Sequence, residues 1–213
     1  MKFLPVFALV ASLAAVGSIA AAADNVNTVK HVYSAAGVSR LSVDNRVGEV
    51  RIRPGTGDSY EVIVNLEGNR HGLMRKLKSV DGLDITAKTS NGRLHLKFNE
   101  DDVEADWTIL LPKVLPKVLP EEVGVNLGVG EVDLVAPSAA ISIDFGVGDV
   151  DVTTAKASAG DITLTVGVGE ASVRGTPNAV KASGVASNVS TKGDGARDVT
   201  VTVGVGDASV VLN

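Results

Sequence analysis

The sequence predicts an all-β fold, a parallel β-solenoid preceded by a less regular β region, on three observations. A glycine-marked phrase recurs along the second half of the chain. Valine, threonine and glycine abound while aromatic residues make up only 3%, and β-branched residues favour strands while glycine marks corners. Sustained helical periodicity is almost absent.

The chain opens Met1-Lys2, runs apolar from Phe3 to Val16, and passes through small residues to Ala21-Ala22-Ala23 before Asp24. A positive start, an apolar stretch and a small-residue end predict a secretory signal peptide over residues 1–23. The switch to polar Asp24-Asn25 favours cleavage over an uncleaved anchor. No later segment offers 18 unbroken apolar residues, so no transmembrane segment is expected after cleavage. Without Lys2 the chain carries 19 basic and 25 acidic residues, a net charge of −6. That acidity, with no basic block, argues against nucleic acid as a partner. There is no cysteine, so an exported fold would rest on packing and hydrogen bonds without disulfides.

Residues 24–119 form the less regular region. Strands are expected at 29–33, 39–43, 49–53 and 60–66. Leu73, Met74 and Leu77 could share one face of a short helix. "GLDITAKTSNGRLHLKF" reads as a hairpin turning at Asn91-Gly92, and residues 105–111 as a further strand. "LPKVLPKVLP" then repeats Leu-Pro-Lys-Val in tandem over 111–118. Proline donates nothing to a ladder, so this stretch is expected as an edge or an extended connector.

Residues 120–213 carry the regular array. "LGVGEVDL" starts at Leu127, "FGVGDVDV" at Phe145, "VGVGEASV" at Val166 and "VGVGDASV" at Val203. A decayed copy, "SGVASNVS", starts at Ser183, with Ala186 and Ser187 in place of the second glycine and the acid. The first glycines (128, 146, 167, 184, 204) are spaced by 18, 21, 17 and 20 residues. A distant relative, "NRVGEVRI", starts at Asn45. Within one copy Ile141, Ile143, Phe145 and Val147 alternate onto one face, yet beyond Gly148-Asp149 the apolar residues are Val150 and Val152. A period-2 pattern that slips by one position signals a corner or bulge. Each phrase is therefore read as strand, corner, strand, with the valine in the core. Units too small to bury their own apolar face are expected to stack. "ASVVLN" closes the chain in a strand with no polar cap, so self-association through the C-terminal solenoid edge is expected.

Together, the leader, "VDNRVGEVRI", the strand holding Trp107 and the tandem G-x-G-[DE]-[VA] units resemble a bacterial envelope family labelled "putative adhesin" or domain of unknown function. The likeness covers residues from Ser39 onward. It implies a β-solenoid-like fold and a periplasmic or extracellular location, and it implies no catalytic residues. The doubled Leu-Pro-Lys-Val departs from the family pattern.

Candidate chemistry is sparse. Glu131, Asp149, Glu170 and Asp207, with Glu49 further back, would form an acidic column if the units stack in register. Carboxylates suit calcium, but six to eight oxygens are wanted and each unit offers one acid. A solvated corner is the simpler account, since like charges 4–5 Å apart in water repel by only about 1 kcal/mol. Gly-x-Gly followed by an acid would repel phosphate. His31, His71 and His95 lack metal-ligand spacing, Trp107 shares the parity of Ile109 and Leu111 and reads as core, and Arg70, Arg75, Lys76 and Lys78 read as a solvated basic loop. No cofactor and no catalytic residue are expected. The expectation is an exported, non-enzymatic, adhesin-like envelope protein, a structural or interaction module whose partner is an envelope protein, a surface polymer or itself. The alternatives are a calcium-stabilised binding module and a polysaccharide-acting enzyme.

Overall fold

A computed structural model describes residues 25–69, 77–114, 117–118, 120–175 and 179–213. The expected signal peptide lies outside the described residues. So do His71, Arg70, Arg75 and Lys76, and the proposed helix face at Leu73 and Met74; Leu77 and Lys78 are described and lie outside any helix or strand.

The described residues are all-β. In chain order the strands are β1 (Val26–Ser34), β2 (Arg40–Pro54), β3 (Ser59–Gly68), β4 (Thr86–Ser90), β5 (Arg93–Phe98), β6 (Val103–Leu111), β7 (Lys113–Val114), β8 (Lys117–Val118), β9 (Glu122–Val135), β10 (Ala140–Thr154), β11 (Ala159–Arg174), β12 (Val180–Thr191) and β13 (Arg197–Leu212). All but β7 and β8 join one 11-stranded, mostly parallel, open sheet. Its main path runs β1-β3-β6-β2-β9-β10-β13-β11-β12, and the β4–β5 hairpin attaches to β2 through β5.

The N-terminal half follows its local signals. Asn91 (φ 50°) and Gly92 (φ 73°) both take the left-handed backbone that a tight hairpin demands, and β4 and β5 pair antiparallel around them. The two short strands expected at 39–43 and 49–53 are one long strand, β2. Its first part pairs with β5 and its last part with β6, both parallel. Trp107 is buried in β6, as its parity with Ile109 and Leu111 implied. The tandem Leu-Pro-Lys-Val stays out of the main sheet. Its two Lys-Val pairs, β7 and β8, form a separate two-stranded antiparallel sheet, with Lys113 opposite Val118.

The five long strands β2, β9, β10, β13 and β11 stack parallel and in register, glycine on glycine. Their length forces a bend. Straight, the 14 residues of β9 would span about 46 Å, yet four residues (136–139) carry the chain from its end to the start of β10, where it pairs parallel with β9. Four linking residues reach at most roughly 18 Å across their five Cα–Cα steps. The ends of each long strand must therefore approach each other, and the corner at Gly-x-Gly folds it into two arms. Buried residues from both arms, such as Val125 with Val132 and Phe145 with Val150, belong to one hydrophobic core.

The second glycine of each phrase makes that corner. Gly48, Gly130, Gly148, Gly206 and Gly169 have φ between 126° and 142°, a region only glycine enters readily. Each also lies against the neighbouring strand, so that a Cβ on Gly206 would sit 1.8 Å from the Gly148 carbonyl oxygen.

Three expectations need correction. The units do not stack in chain order. β11 is followed by β12, which runs antiparallel to it and pairs Gly184 with Gly169; the chain then returns as β13, which slots between β10 and β11. Consequently the C-terminal strand is not a free edge. Both its sides are paired, and β1 and β12 end the sheet's main path. Finally, the valine between the glycines does not fill the core. Phe145 is the last inward residue before the corner and Val150 the first after it, while Val147 is 48% exposed.

Candidate interaction surface

The corners align into a ridge that runs across the strands. Val129, Val147, Val205, Val168 and Val185 are consecutive register partners on five neighbouring strands. All are exposed, four of them at 48–49% and Val185 at 82%. Val47 continues the row on β2, half-buried. Large apolar side chains repeated in a continuous exposed row differ from the scattered surface valines that any protein carries.

Two residues on, across the positive-φ glycine, runs the acidic column. The structure brings together all four residues that the sequence singled out, in the spatial order Glu131, Asp149, Asp207, Glu170, with Glu49 beside Glu131. Asp149 meets Asp207 in this column because β13 inserts between β10 and β11. Ser187 does not interrupt the column. It is buried opposite Val166 and donates to the Gly169 carbonyl at 3.1 Å, and Ser183 is the residue facing Glu170.

The acids have a structural task that the sequence did not disclose. The backbone N–H of Glu170 donates to Asp207 Oδ1 at 2.9 Å, and that of Asp207 donates to Asp149 Oδ1 at 3.2 Å. The N–H of Glu49 donates to Asp106 Oδ1 at 2.9 Å. At a corner the ladder cannot pair every N–H, and a short carboxylate on the adjacent strand takes the orphan. The aspartates of the column accept these bonds. The methylene separating Asp207 from Glu170 in otherwise identical phrases therefore matters. Asp207→Ala is expected to lose about 1 kcal/mol or less in urea unfolding, whereas Asp207→Asn, which keeps the acceptor oxygen, stays near the parent.

Glu49 shows the electrostatic load. Burial pushes its carboxyl above the ordinary range; Arg51 pulls the other way, and Glu131, Asp106 and Asp133 add to the rise. A raised folded-state value means that ionised Glu49 opposes folding near neutrality, and this opposition fades as pH falls through the folded value. Glu49→Gln is therefore expected to melt higher than the parent at pH 7 and to lose that advantage in acid. Equal melting points at pH 7 would show that the Arg51 contact offsets the burial. Further along, Lys181 of β12 sets its Nζ 2.6 Å from Glu170 Oε1. Among the described residues, no cation pairs with Glu131, Asp149 or Asp207.

Beside the column lies a shallow, open hollow of about 260 Å³, lined chiefly by Asp149, Asp151, Glu170, Arg174, Asp207 and Ser209. Among the described residues no group of three or more His, Asp or Glu side chains converges in a way that could hold a metal ion. The acids stand in a line, one per strand, and two of them spend an oxygen on backbone N–H groups. The described histidines are apart from this ridge. His31 Nε2 lies 2.8 Å from Asp84 Oδ1 with its ring stacked on Tyr33, and His95 Nδ1 lies 3.3 Å from Ser42 Oγ. Burial, with Asp84 second, pushes the Tyr33 hydroxyl up to about 12.

No protein-family model matches the chain, and no curated protein matches it either. Among solved structures it is similar to a "putative cell adhesion protein" from Clostridium sporogenes, at 14% identity over 88% of this chain and 100% of that one, with a TM-score of 0.46. A likeness of that size carries no functional argument. Among the described residues no helix is long and apolar enough to cross a membrane.

Proposed function

We propose that this chain is an exported, non-enzymatic envelope protein of adhesin-like type, periplasmic or extracellular, that works as an interaction module. One observation carries the reading: the stacked strands repeat the same outward residues at each level, so the surface presents parallel rows of valine and of carboxylate. A surface of identical contacts at a fixed pitch suits a partner that is itself extended along the row. The apolar leader at residues 1–23 supports export.

Fractionation of cells expressing the full chain, followed by crosslinking and pull-down from the envelope fraction, tests both halves of this reading. The expected result is a processed chain outside the cytoplasm that captures a specific partner. Retention of the unprocessed chain in the cytoplasm would refute export, and a chain that hydrolyses envelope polysaccharide would refute the non-enzymatic role.

A further inference from the structure

We propose that the valine row and the acidic column beside it form one docking ridge for a cationic, amphipathic helix of a partner protein. The proposal deepens the interaction-module reading and rests on it.

Three features of the ridge converge on this chemistry. The exposed valines offer a continuous apolar line of roughly 19 Å, at one residue per strand spacing. The column offers carboxylates along the same line, and Glu131, Asp149 and Asp207 pair with no cation among the described residues. The protein itself supplies an example of the contact, because Lys181 sets its ammonium against Glu170. A partner that places aliphatic side chains on the valines and Lys or Arg over the acids and the neighbouring hollow satisfies both rows at once.

Pitch selects the helix. A helix laid along the ridge returns to the same face every 5.4 Å, against a strand spacing of about 4.8 Å. Over 3.5 turns the mismatch accumulates to only about 2 Å, well within side-chain reach. An extended strand laid the same way repeats its face every ~6.6 Å and drifts out of step within two strands. Charge excludes anionic partners, since phosphate, nucleic acid and anionic lipid would meet the column head-on. A carbohydrate would find valine where sugar recognition uses aromatic faces and hydrogen-bonding groups. The same ridge on a second copy would bring its own carboxylates against this column, like charge against like.

The test is a titration of the purified protein against a fluorescently labelled 18-residue peptide with leucines on one helical face and lysines flanking them. Companion peptides carry glutamate for lysine, or the same composition scrambled. Three double variants accompany the parent: Val147→Thr with Val205→Thr, which keeps the branched shape; Asp149→Asn with Asp207→Asn, which keeps the backbone acceptors; and Asp58→Asn with Asp81→Asn, which makes the same charge change away from the ridge. Unchanged melting profiles establish that each variant is folded. The expected result is saturable binding of the lysine peptide, weakened by salt, with affinity at least tenfold lower in the first two variants and unchanged in the third. Absence of binding, equal binding of the glutamate or scrambled peptide, or equal losses at Asp58 and Asp81 would each overturn the ridge assignment. A stable dimer abolished by the valine substitutions would overturn it in favour of self-association. If the peptide fails while envelope crosslinking still returns a partner, the ridge assignment falls and the interaction-module reading stands; cytoplasmic retention would remove that reading whatever the peptide does.

Discussion

Gly206→Ala is expected to destabilise the protein by roughly 3–5 kcal/mol, or to prevent folding, and Gly184→Ala by only about 1–2 kcal/mol. Both glycines have φ that an L side chain rarely adopts, 136° and 121°, and such strain amounts to about 1–3 kcal/mol. They differ in what surrounds them. A Cβ on Gly206 would meet the Gly148 carbonyl oxygen at 1.8 Å and its carbon at 2.7 Å, both backbone atoms of a neighbouring strand. Relief requires β13 to move away from β10, which breaks ladder bonds on both sides of the corner and adds an overpacking term of about 1–3 kcal/mol. Gly184 lies on the terminal strand β12 with nothing within 4 Å of the added carbon. Urea unfolding of both variants separates strain from collision. Equal losses would mean that conformation alone governs the corner and that the strands are not stacked this closely.

Ending the chain at Ala196 is expected to abolish the folded state. That truncation removes β13, and with it the buried side chains of Val199, Val201, Val203, Ala208, Val210 and Leu212. It also strips partners from two strands at once, because β13 pairs along both β10 and β11. The remaining link from β10 to β11, residues 155–158, would then span a gap lined with unpaired backbone, and lone buried N–H and C=O groups each carry a penalty of about 1–3 kcal/mol. A terminal unit of a stacked array behaves differently, since its removal leaves the preceding units folded. Far-UV circular dichroism and size exclusion distinguish the outcomes. A truncated chain that remains compact and strand-rich would place β13 at an edge.

These two expectations mark where reading the residues succeeded and where it did not. Local signals carried the elements. Asn91-Gly92 announced its hairpin, the parity of Trp107, Ile109 and Leu111 announced a buried face, and the slip between Phe145 and Val150 announced the corner. The slip does not reveal where inside the phrase the turn begins, and simple alternation points Val147 inward. The corner takes it outward, so alternation alone hides the exposed valine row. Strand order was also hidden. Thr165–Val173 and Thr202–Val210 differ only at Glu170 and Asp207 and lie side by side, Thr165 opposite Thr202 and Val173 opposite Val210. Strands so alike fit next to one another in any order. The order is set by the path between them: β12 runs back antiparallel along β11, and the return at 192–196 brings β13 in between β10 and β11. The acidic column was legible as a list of residues because register follows from the phrase. Its use of aspartate to accept the next strand's N–H was not, since that bond depends on which strands are neighbours.

Strand order is therefore the claim to test most directly, and a chain without cysteine suits a crosslinking measurement. Val147 and Val205 are register partners on β10 and β13, whereas Val168 on β11 lies one strand beyond Val205. Adjacent strands place Cα atoms about 4.8 Å apart, within disulfide range, and two strand spacings, roughly 9.6 Å, exceed it. Under mild oxidation the Val147→Cys/Val205→Cys pair should close to a disulfide in the folded monomer, and the Val147→Cys/Val168→Cys pair should not. Closure of the second pair and failure of the first would mean that the strands stack in chain order, and would contradict the account.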